Sequence, residues 1–257
     1  MRSRLLALAL MAALPAAGAD VHAVLNTPQQ RVETADFRAS GRLVRVDGNG
    51  TRTSYGVSLK AHWFGGVLRL MVDVDGSPAK QPAASQHILL EMRPNGQNTI
   101  LIAHPGDKSA SSLPFEKWND GPLGPGFSYE DFLEPQYFWP GQAAEAAKFG
   151  ARDCDLVKST PGAADRTHYA EIRSWLDHGI GFPVYVEKTV KGTGVVKQFT
   201  YFGLRHEGGI WSATQLEAKT KGQSGSTLLI IERGSGKANL NAGDFNPDHL
   251  TRFQDGK

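Results

Sequence analysis

Apolar and polar residues alternate along much of the chain, as they do in strands that bury one face. In the first half this alternation runs through Tyr55 to Trp63, Leu68 to Val74 and Ile88 to Met92. Turn-forming residues separate these stretches, including Gly65-Gly66 and the Pro-Asn-Gly run that begins at Pro94. The pattern predicts successive antiparallel hairpins.

The second half of the chain repeats this pattern, with glycine-containing turns between strand-like stretches. These stretches are Asp153 to Lys158, His168 to Asp177, Val184 to Val190, Val196 to Arg205, Trp211 to Lys219 and Ser226 to Arg233. The strand and turn signals together predict about ten or eleven strands. We therefore expect an α+β fold, mainly β, built on a single curved antiparallel sheet.

Helix signals are few, and each is short. One runs from Val21 to Thr34, one starts at Ser128 and runs to the break at Pro135 or Pro140, and one covers the alanine-rich stretch Gln142 to Phe149. A last helical turn is predicted after Asn246, which can cap a helix that has proline at its first position. These segments are expected to lie against a face of the sheet.

The helix start at Ser128 is the most specific local feature. Ser128 can cap the amide of Asp131, and the Asp131 carboxylate can reach back to the amide of Ser128. Phe127 and Phe132 occupy the positions at which two apolar side chains staple a helix entry. Because Glu130 and Asp131 are neighbours on a helix, they are expected to diverge and not to form a catalytic acid pair.

The N-terminus has the three-part layout of a cleavable signal peptide. Arg2 and Arg4 precede the apolar run Leu5 to Leu14, and small residues follow up to Ala19. The domains are therefore predicted as a signal peptide over residues 1–19 and a single mature domain over residues 20–257. Asp20 stands where a lipoprotein would have its cysteine, so we expect an exported, soluble protein without a lipid anchor.

Charge and cysteine content remove several classes of function. The chain has 28 Lys+Arg and 26 Asp+Glu; residues 1–19 hold two of the basic residues and none of the acidic ones. The mature net charge is therefore 26 − 26 = 0, and no nucleic-acid partner is expected. Cys154 is the single cysteine, which excludes an intramolecular disulfide and favours a small buried side chain.

The sequence shows no site pattern that requires a cofactor. Gly222-Gln-Ser-Gly-Ser226 departs from a nucleophile elbow at its last position, and Gly192-Thr-Gly194 fits a hairpin turn better than a dinucleotide loop. A metal site around Asp153, Asp155 and His168 stays open, although exposed strand residues explain them more simply. We expect no enzyme activity, no metal and no cofactor.

The strands carry more apolar side chains than a sheet with one buried face needs. In one reading the early helix covers one face and the other face lines an apolar cavity. The alternative is a sheet covered on both faces by its own helices and loops. The residues leave both readings open.

Eight segments spread over nearly the whole mature chain carry a family resemblance: Ala35–Leu43, Phe127–Phe132, Arg152–Cys154, Ala170–Asp177, Phe182–Glu187, Gly209–Trp211, Thr227–Ile231 and Asp244–Leu250. They resemble the outer-membrane lipoprotein-sorting family, the periplasmic carriers with a LolA/LolB-like fold. The Ser128 segment is the most specific part of the resemblance.

The resemblance implies an open half-barrel whose hollow holds acyl chains under short helices that act as a lid. It implies a lipid or lipoprotein cargo carried through the periplasm, with an inner-membrane transporter and an outer-membrane acceptor as partners. The candidate lipid-binding residues are Tyr55, Val57, Leu59, Trp63, Leu68, Leu70, Leu90, Met92, Phe127, Tyr129, Phe132, Phe138 and Trp139.

Two other functions are weighed against the carrier. The first is a non-carrier interaction or sensor subunit of an envelope assembly, which a hollow filled by the protein's own side chains would favour. The second is an envelope hydrolase that uses Glu130, which would require this carboxylate to line a cleft with another acid or a histidine.

Overall fold

The computed structural model describes residues 20–94, 96–121, 123–207 and 209–253. The predicted signal peptide, residues 1–19, lies outside these residues. Helix α1 (Val21–Glu33) opens the described chain as predicted, with the Asp20 side chain accepting a hydrogen bond from the His22 amide. Within the described ranges, no helix has both the length and the apolar character needed to cross a membrane.

The described residues after α1 form one sheet of 13 strands. The strands are β1 (Asp36–Val46), β2 (Arg52–Trp63), β3 (Leu68–Asp75), β4 (Gln86–Met92), β5 (Thr99–Ala103), β6 (Ser111–Ser112), β7 (Gly141–Phe149), β8 (Arg152–Thr160), β9 (Tyr169–Asp177), β10 (Pro183–Val190), β11 (Val196–Glu207), β12 (Ile210–Thr220) and β13 (Ser226–Gly236).

The strand order brings the first and last strands together in the middle of the sheet. The order is β6-β5-β4-β3-β2-β1-β13-β12-β11-β10-β9-β8-β7, and every neighbouring pair is antiparallel. Strands β6 and β7 are consecutive in the chain but lie at opposite edges. The sheet is curved and unclosed, which confirms the predicted fold class, an open half-barrel.

Residues 113–140 connect β6 to β7, and we call them the crossover segment. The two strands lie at opposite edges, and the apolar side chains of this segment pack on one face of the curved sheet, its concave side, which we call the hollow. Its buried side chains join one apolar cluster with the strand residues of the hollow. The crossover residues in this cluster are Leu113, Trp118, Leu123, Phe127, Tyr129, Leu133 and Trp139.

Helix α1 also covers the hollow. Leu25 packs in a cluster with Tyr137 of the crossover segment, Val157 of β8 and Leu176 of β9. Leu176 lies four residues from Ile172 of the main cluster, so both project from the same face. The reading in which the early helix covers one face while the other lines a cavity does not hold, because α1 and the crossover segment cover the same face.

The convex face of β3 to β5 is covered by the C-terminal segment, residues 237–253. Phe245 and Leu250 of this segment pack in a cluster with Met71 and Leu89. Asn246 caps the 3-10 turn Pro247–His249, which confirms the predicted turn after Asn246. This part of the molecule thus matches the reading in which the sheet is covered on both faces.

Two predictions about local elements need correction. Residues Gln142 to Phe149 do not form a helix, since they belong to β7, where Ala144 pairs with Val157 of β8. Pairing at the open sheet edge outweighs the helical preference of alanine. The strand count of ten or eleven was too low, because β7 and the two-residue β6 were not recognised.

Candidate functional site

The crossover segment enters the hollow through the turn at Ser128. The 3-10 turn Tyr129–Phe132 starts with the predicted capping box, in which the Ser128 amide donates to Asp131 Oδ2 at 2.8 Å. Phe127 and Phe132 meet edge to face with ring centroids 4.9 Å apart, which confirms the staple. The helix is shorter than predicted, since it ends before Leu133.

The turn places the Asp131 carboxylate among the side chains of three strands. Tyr169 of β9 donates its hydroxyl to Oδ1 at 2.6 Å. Lys188 of β10 donates to Oδ1 at 3.0 Å, and Lys197 of β11 donates to Oδ2 at 3.2 Å. The Asp131 side chain is 0% exposed, so these contacts replace water completely. We call Ser128, Asp131, Tyr169, Lys188 and Lys197 the charged cluster.

The charged cluster keeps Asp131 ionised. Burial alone would raise the pKa of the Asp131 carboxyl, but the ammonium groups of Lys197 and Lys188 outweigh burial and hold it well below its usual range. The hydroxyls of Tyr169 and Ser128 act in the same direction. For Tyr169, burial and then the Asp131 charge raise the pKa of the phenol well above its usual value, so it stays a hydrogen-bond donor.

The two lysines belong to the sheet and not to the crossover segment. Lys188 and Lys197 are directly opposite each other on β10 and β11, in the same row as Val186 and Phe199. The Lys188 ammonium lies 4.7 Å from the ring centroid of Phe199 and 5.2 Å from that of Tyr169. Aromatic faces thus hold these cations inside an otherwise apolar part of the hollow.

Glu130 points away from Asp131, as predicted for helix neighbours. One of its oxygens lies 2.8 Å from His168 Nδ1, and the other accepts from the Thr167 hydroxyl and the His168 amide at 3.3 Å. The space beside Glu130 has a volume of about 10 Å³, too small for more than a single water. The histidine that a hydrolase at Glu130 would require is present as His168, but this space is too small for a substrate.

Further polar contacts tie the crossover segment to the rest of the hollow. Arg31 of α1 pairs with Glu134 at 2.7 Å, and Gln29 of α1 donates to the Tyr137 carbonyl oxygen at 2.7 Å. On the other half of the sheet, the Tyr129 hydroxyl donates to Gln86 Oε1 of β4 at 2.9 Å. The segment is therefore held from both halves of the sheet and from α1.

Three solved structures share this arrangement of strands. A domain from Vibrio parahaemolyticus named as an outer membrane lipoprotein-sorting protein domain is 18% identical, with a TM-score of 0.76 over 91% of this chain and 100% of that one. A DUF1329 family protein from Desulfovibrio piger is 15% identical, with a TM-score of 0.73 over 90% and 98%. A LolA superfamily protein from Nitrosomonas europaea is 15% identical, with a TM-score of 0.62 over 91% and 100%.

Sequence comparison adds a family assignment. A model for a family described as "-like: Uncharacterized protein" matches residues 116–252, which is more than half of the chain. The chain belongs to that family, and its fold is LolA-like. The matched residues include most of the crossover segment and the strands that bear the charged cluster. A comparison with curated proteins finds no match.

The candidate lipid-binding residues all lie together in the LolA-like hollow. Each of them belongs to the main apolar cluster or packs against it. Nine of them are buried, some on the strands and some on the crossover segment itself, while Leu59, Trp63, Phe132 and Phe138 are partly buried. The structure thus brings the whole predicted set to one face, and their contact with lipid stays a prediction.

The residues of the charged cluster on the sheet were missed by the sequence interpretation. Lys188 and Lys197 stand at positions that alternate with Glu187 and Gln198, so nothing local marks them as buried. The available signal was their spacing, because each lies two residues from an inward-facing apolar residue, Val186 or Phe199, and therefore on the same face of its strand. Polar residues at inward positions of a predicted strand indicate a buried polar site.

The residues of the metal site that the sequence left open do not come together. His168 pairs with Glu130, while Asp155 lies 2.8 Å from His178 and Asp153 pairs with Lys148. Within the part of the chain that the structure describes, no group of three potential ligands is found. Cys154 is buried in β8 as predicted, and burial followed by the Asp177 charge raises the pKa of its thiol.

A groove lies on the convex face of the LolA-like sheet, opposite the hollow. It has a volume of about 710 Å³ and lies at the ends of β12 and β13, with the loop after β1 at its side. Phe202, Leu228 and Ile230 supply its apolar surface, and Glu217 and Lys219 are charged residues of its lining. Phe202 is 43% exposed, so this groove is open, in contrast to the filled hollow.

Proposed function

We propose that this protein is a periplasmic carrier that binds lipid or the acyl chains of lipoproteins in its hollow for transport towards the outer membrane. The observation that supports it is a continuous apolar wall on the concave face, covered by a segment that belongs to no strand. Residues 1–19 would direct export. An inner-membrane transporter and an outer-membrane acceptor are the proposed partners, and no catalytic step or cofactor is involved.

Cargo binding in this proposal requires the crossover segment to move. Leu90 and Met92 are 0% exposed in the closed arrangement, so an acyl chain can reach them only after crossover side chains leave. Each methylene that enters the hollow gains about 0.8 kcal/mol. A long chain can therefore replace the contacts of Phe127, Leu133 and Trp139 with comparable contacts of its own.

The test is titration of delipidated protein with the neutral apolar dye N-phenyl-1-naphthylamine. We expect saturable fluorescence at micromolar dye, and at least tenfold weaker binding by Phe132→Asp, which places a charge beside the wall. The matched control is Phe202→Asp on the convex face, which should bind as the unmodified protein does. Absence of saturable binding by the folded protein would contradict the carrier.

A non-carrier interaction or sensor subunit is the second candidate. The filled hollow favours it, because a wall already packed by the crossover segment needs no cargo. The open groove with Phe202, Leu228 and Ile230 offers a surface for a protein partner. In this case native mass spectrometry of protein purified from the periplasm would show no bound lipid, and substitutions in the groove would impair function while those in the hollow would not.

A further inference from the structure

The charged cluster contains two cations and one anion, and they belong to different layers. Lys188 and Lys197 are on the sheet, whereas the Asp131 carboxylate is on the crossover segment. The two lysine side chains are only 5% and 9% exposed. The hollow therefore has two buried ammonium groups in its wall, and the covering segment provides one carboxylate for them.

Movement of the crossover segment would leave these cations without their counter-charge. Their other close neighbours include the rings of Phe199 and Tyr169, which attract cations but do not neutralise them. An ammonium in an apolar site without an anion is strongly unfavourable. Opening of the hollow is consequently favoured when a new anion takes the place of Asp131.

We infer that Lys188, Lys197 and Tyr169 form a binding site for the anionic head group of an amphiphile whose apolar tail lies along the hollow. The inference rests on the proposed carrier function and narrows its cargo to acidic amphiphiles. A carboxylate or phosphate head group presents the same oxygen acceptors as Asp131. In the closed protein the Asp131 carboxylate stands in for this head group.

The surroundings of the lysines explain why the ligand has a tail. Val186 and Phe199 continue the rows of Lys188 and Lys197, and Ile172 of β9 is directly opposite Lys188. These three apolar side chains are at most 2% exposed and belong to the main apolar cluster. A head group held by the lysines would thus direct a tail onto apolar wall, whereas a small free anion would leave that wall uncovered.

The experiment compares ligands that share a ten-carbon tail and differ in the head group. Isothermal titration calorimetry at pH 8 would measure decanoate, decyl phosphate and neutral 1-decanol against the full mature chain, with inorganic phosphate as the head group alone. We expect both anionic ligands to bind at least tenfold more tightly than 1-decanol, and inorganic phosphate to bind at least a hundredfold more weakly than decyl phosphate.

Single lysine variants test the residues. Lys197→Met and Lys188→Met each leave one buried ammonium group paired with the one Asp131 carboxylate. Because the remaining charges cancel, both variants are expected to fold. Either variant should lose the tenfold preference for anionic ligands while its affinity for 1-decanol changes less than threefold. The control is Lys148→Met on β7, whose ammonium is exposed, and it should keep the preference.

The possible failures are distinguishable. Equal binding of decanoate, decyl phosphate and 1-decanol would overturn the head-group site and leave the carrier in place. Inorganic phosphate that binds as tightly as decyl phosphate would overturn the amphiphile and indicate a site for free anions. No binding of any tailed ligand to the folded protein would overturn both the head-group site and the carrier.

Discussion

At the scale of single residues, Asp131 is the side chain on which the closed arrangement depends most. Its carboxylate is fully buried and joins the crossover segment to strands β10 and β11 through Lys188 and Lys197. A buried ion pair adds little net stability compared with apolar residues of the same shape, but removal of one partner is costly. The cluster therefore positions the segment more than it strengthens the fold.

Asp131→Asn should lower the free energy of unfolding by about 3–5 kcal/mol, because it leaves two buried ammonium groups without an anion. Urea denaturation at pH 7 measures this change. The control is Asp153→Asn, which removes an exposed pair with Lys148 and should cost less than about 1 kcal/mol. A similar loss in the free energy of unfolding for both variants would show that Lys188 and Lys197 do not need the Asp131 carboxylate as their counter-charge.

The lowered pKa of Asp131 makes the free energy of unfolding decrease at acidic pH. In the unfolded chain an aspartate titrates at about pH 3.9. Because Lys197 and Lys188 hold the folded pKa below that value despite burial, the stabilisation is complete above about pH 5 and is lost as the pH falls towards the folded pKa. Urea titrations from pH 7 to pH 2.5 should show this loss, and Asp131→Asn should lack much of it.

At the scale of elements, the crossover segment is fixed where it enters the hollow. Gly126 has φ +74°, and a Cβ there would lie 2.6 Å from the backbone carbon of Lys219 on β12. Only glycine meets both conditions at this position. The approach to Phe127 and Ser128 thus depends on close contact between two backbones.

Gly126→Ala should destabilise the protein more than Gly222→Ala does. Gly222 has nearly the same φ, +76°, but a Cβ added there would meet no atom within 4 Å, so both variants share a left-handed strain of about 1–2 kcal/mol. The additional loss in Gly126→Ala reports the contact with Lys219. Urea denaturation compares the two, and equal losses would contradict a close approach at Gly126.

At the scale of the whole molecule, the two faces of the sheet are covered by different parts of the chain. The crossover segment and α1 cover the hollow, while the C-terminal segment covers the convex face over β3 to β5. The groove at Phe202 lies on the same convex face and is open. The C-terminal segment is thus part of the folded core, and the groove is not.

Phe245→Ala should lower the free energy of unfolding by about 3–5 kcal/mol, because Phe245 is 1% exposed and packs against Phe64. Phe202→Ala removes the same ring from the open groove, where it is 43% exposed, and should cost only about 1 kcal/mol. Chemical denaturation measures both variants. A small effect of Phe245→Ala would mean that the C-terminal segment is not part of the cooperative unit.

Local rules explain which parts of the fold are predictable from sequence. The alternation of β2, β3 and β4, the staple of Phe127 and Phe132 and the cap at Asn246 depend on residues a few positions apart. The resemblance to LolA-like proteins also implied the half-barrel. Its candidate lipid-binding residues all lie in or against one apolar cluster in the structure. Strand β7 was not predicted, because its alanines locally prefer a helix, whereas pairing with β8 at the sheet edge makes the segment a strand.

Short-range spacing in the sequence specifies most of the strands, their inward rows and the helix start at Ser128. Tertiary structure was needed to show that the hollow is filled and that Asp131 meets Lys188 and Lys197, which lie 57 and 66 residues further along the chain. Burial and charge pairing between such distant residues depend on strand order and register, and no local pattern encodes either one.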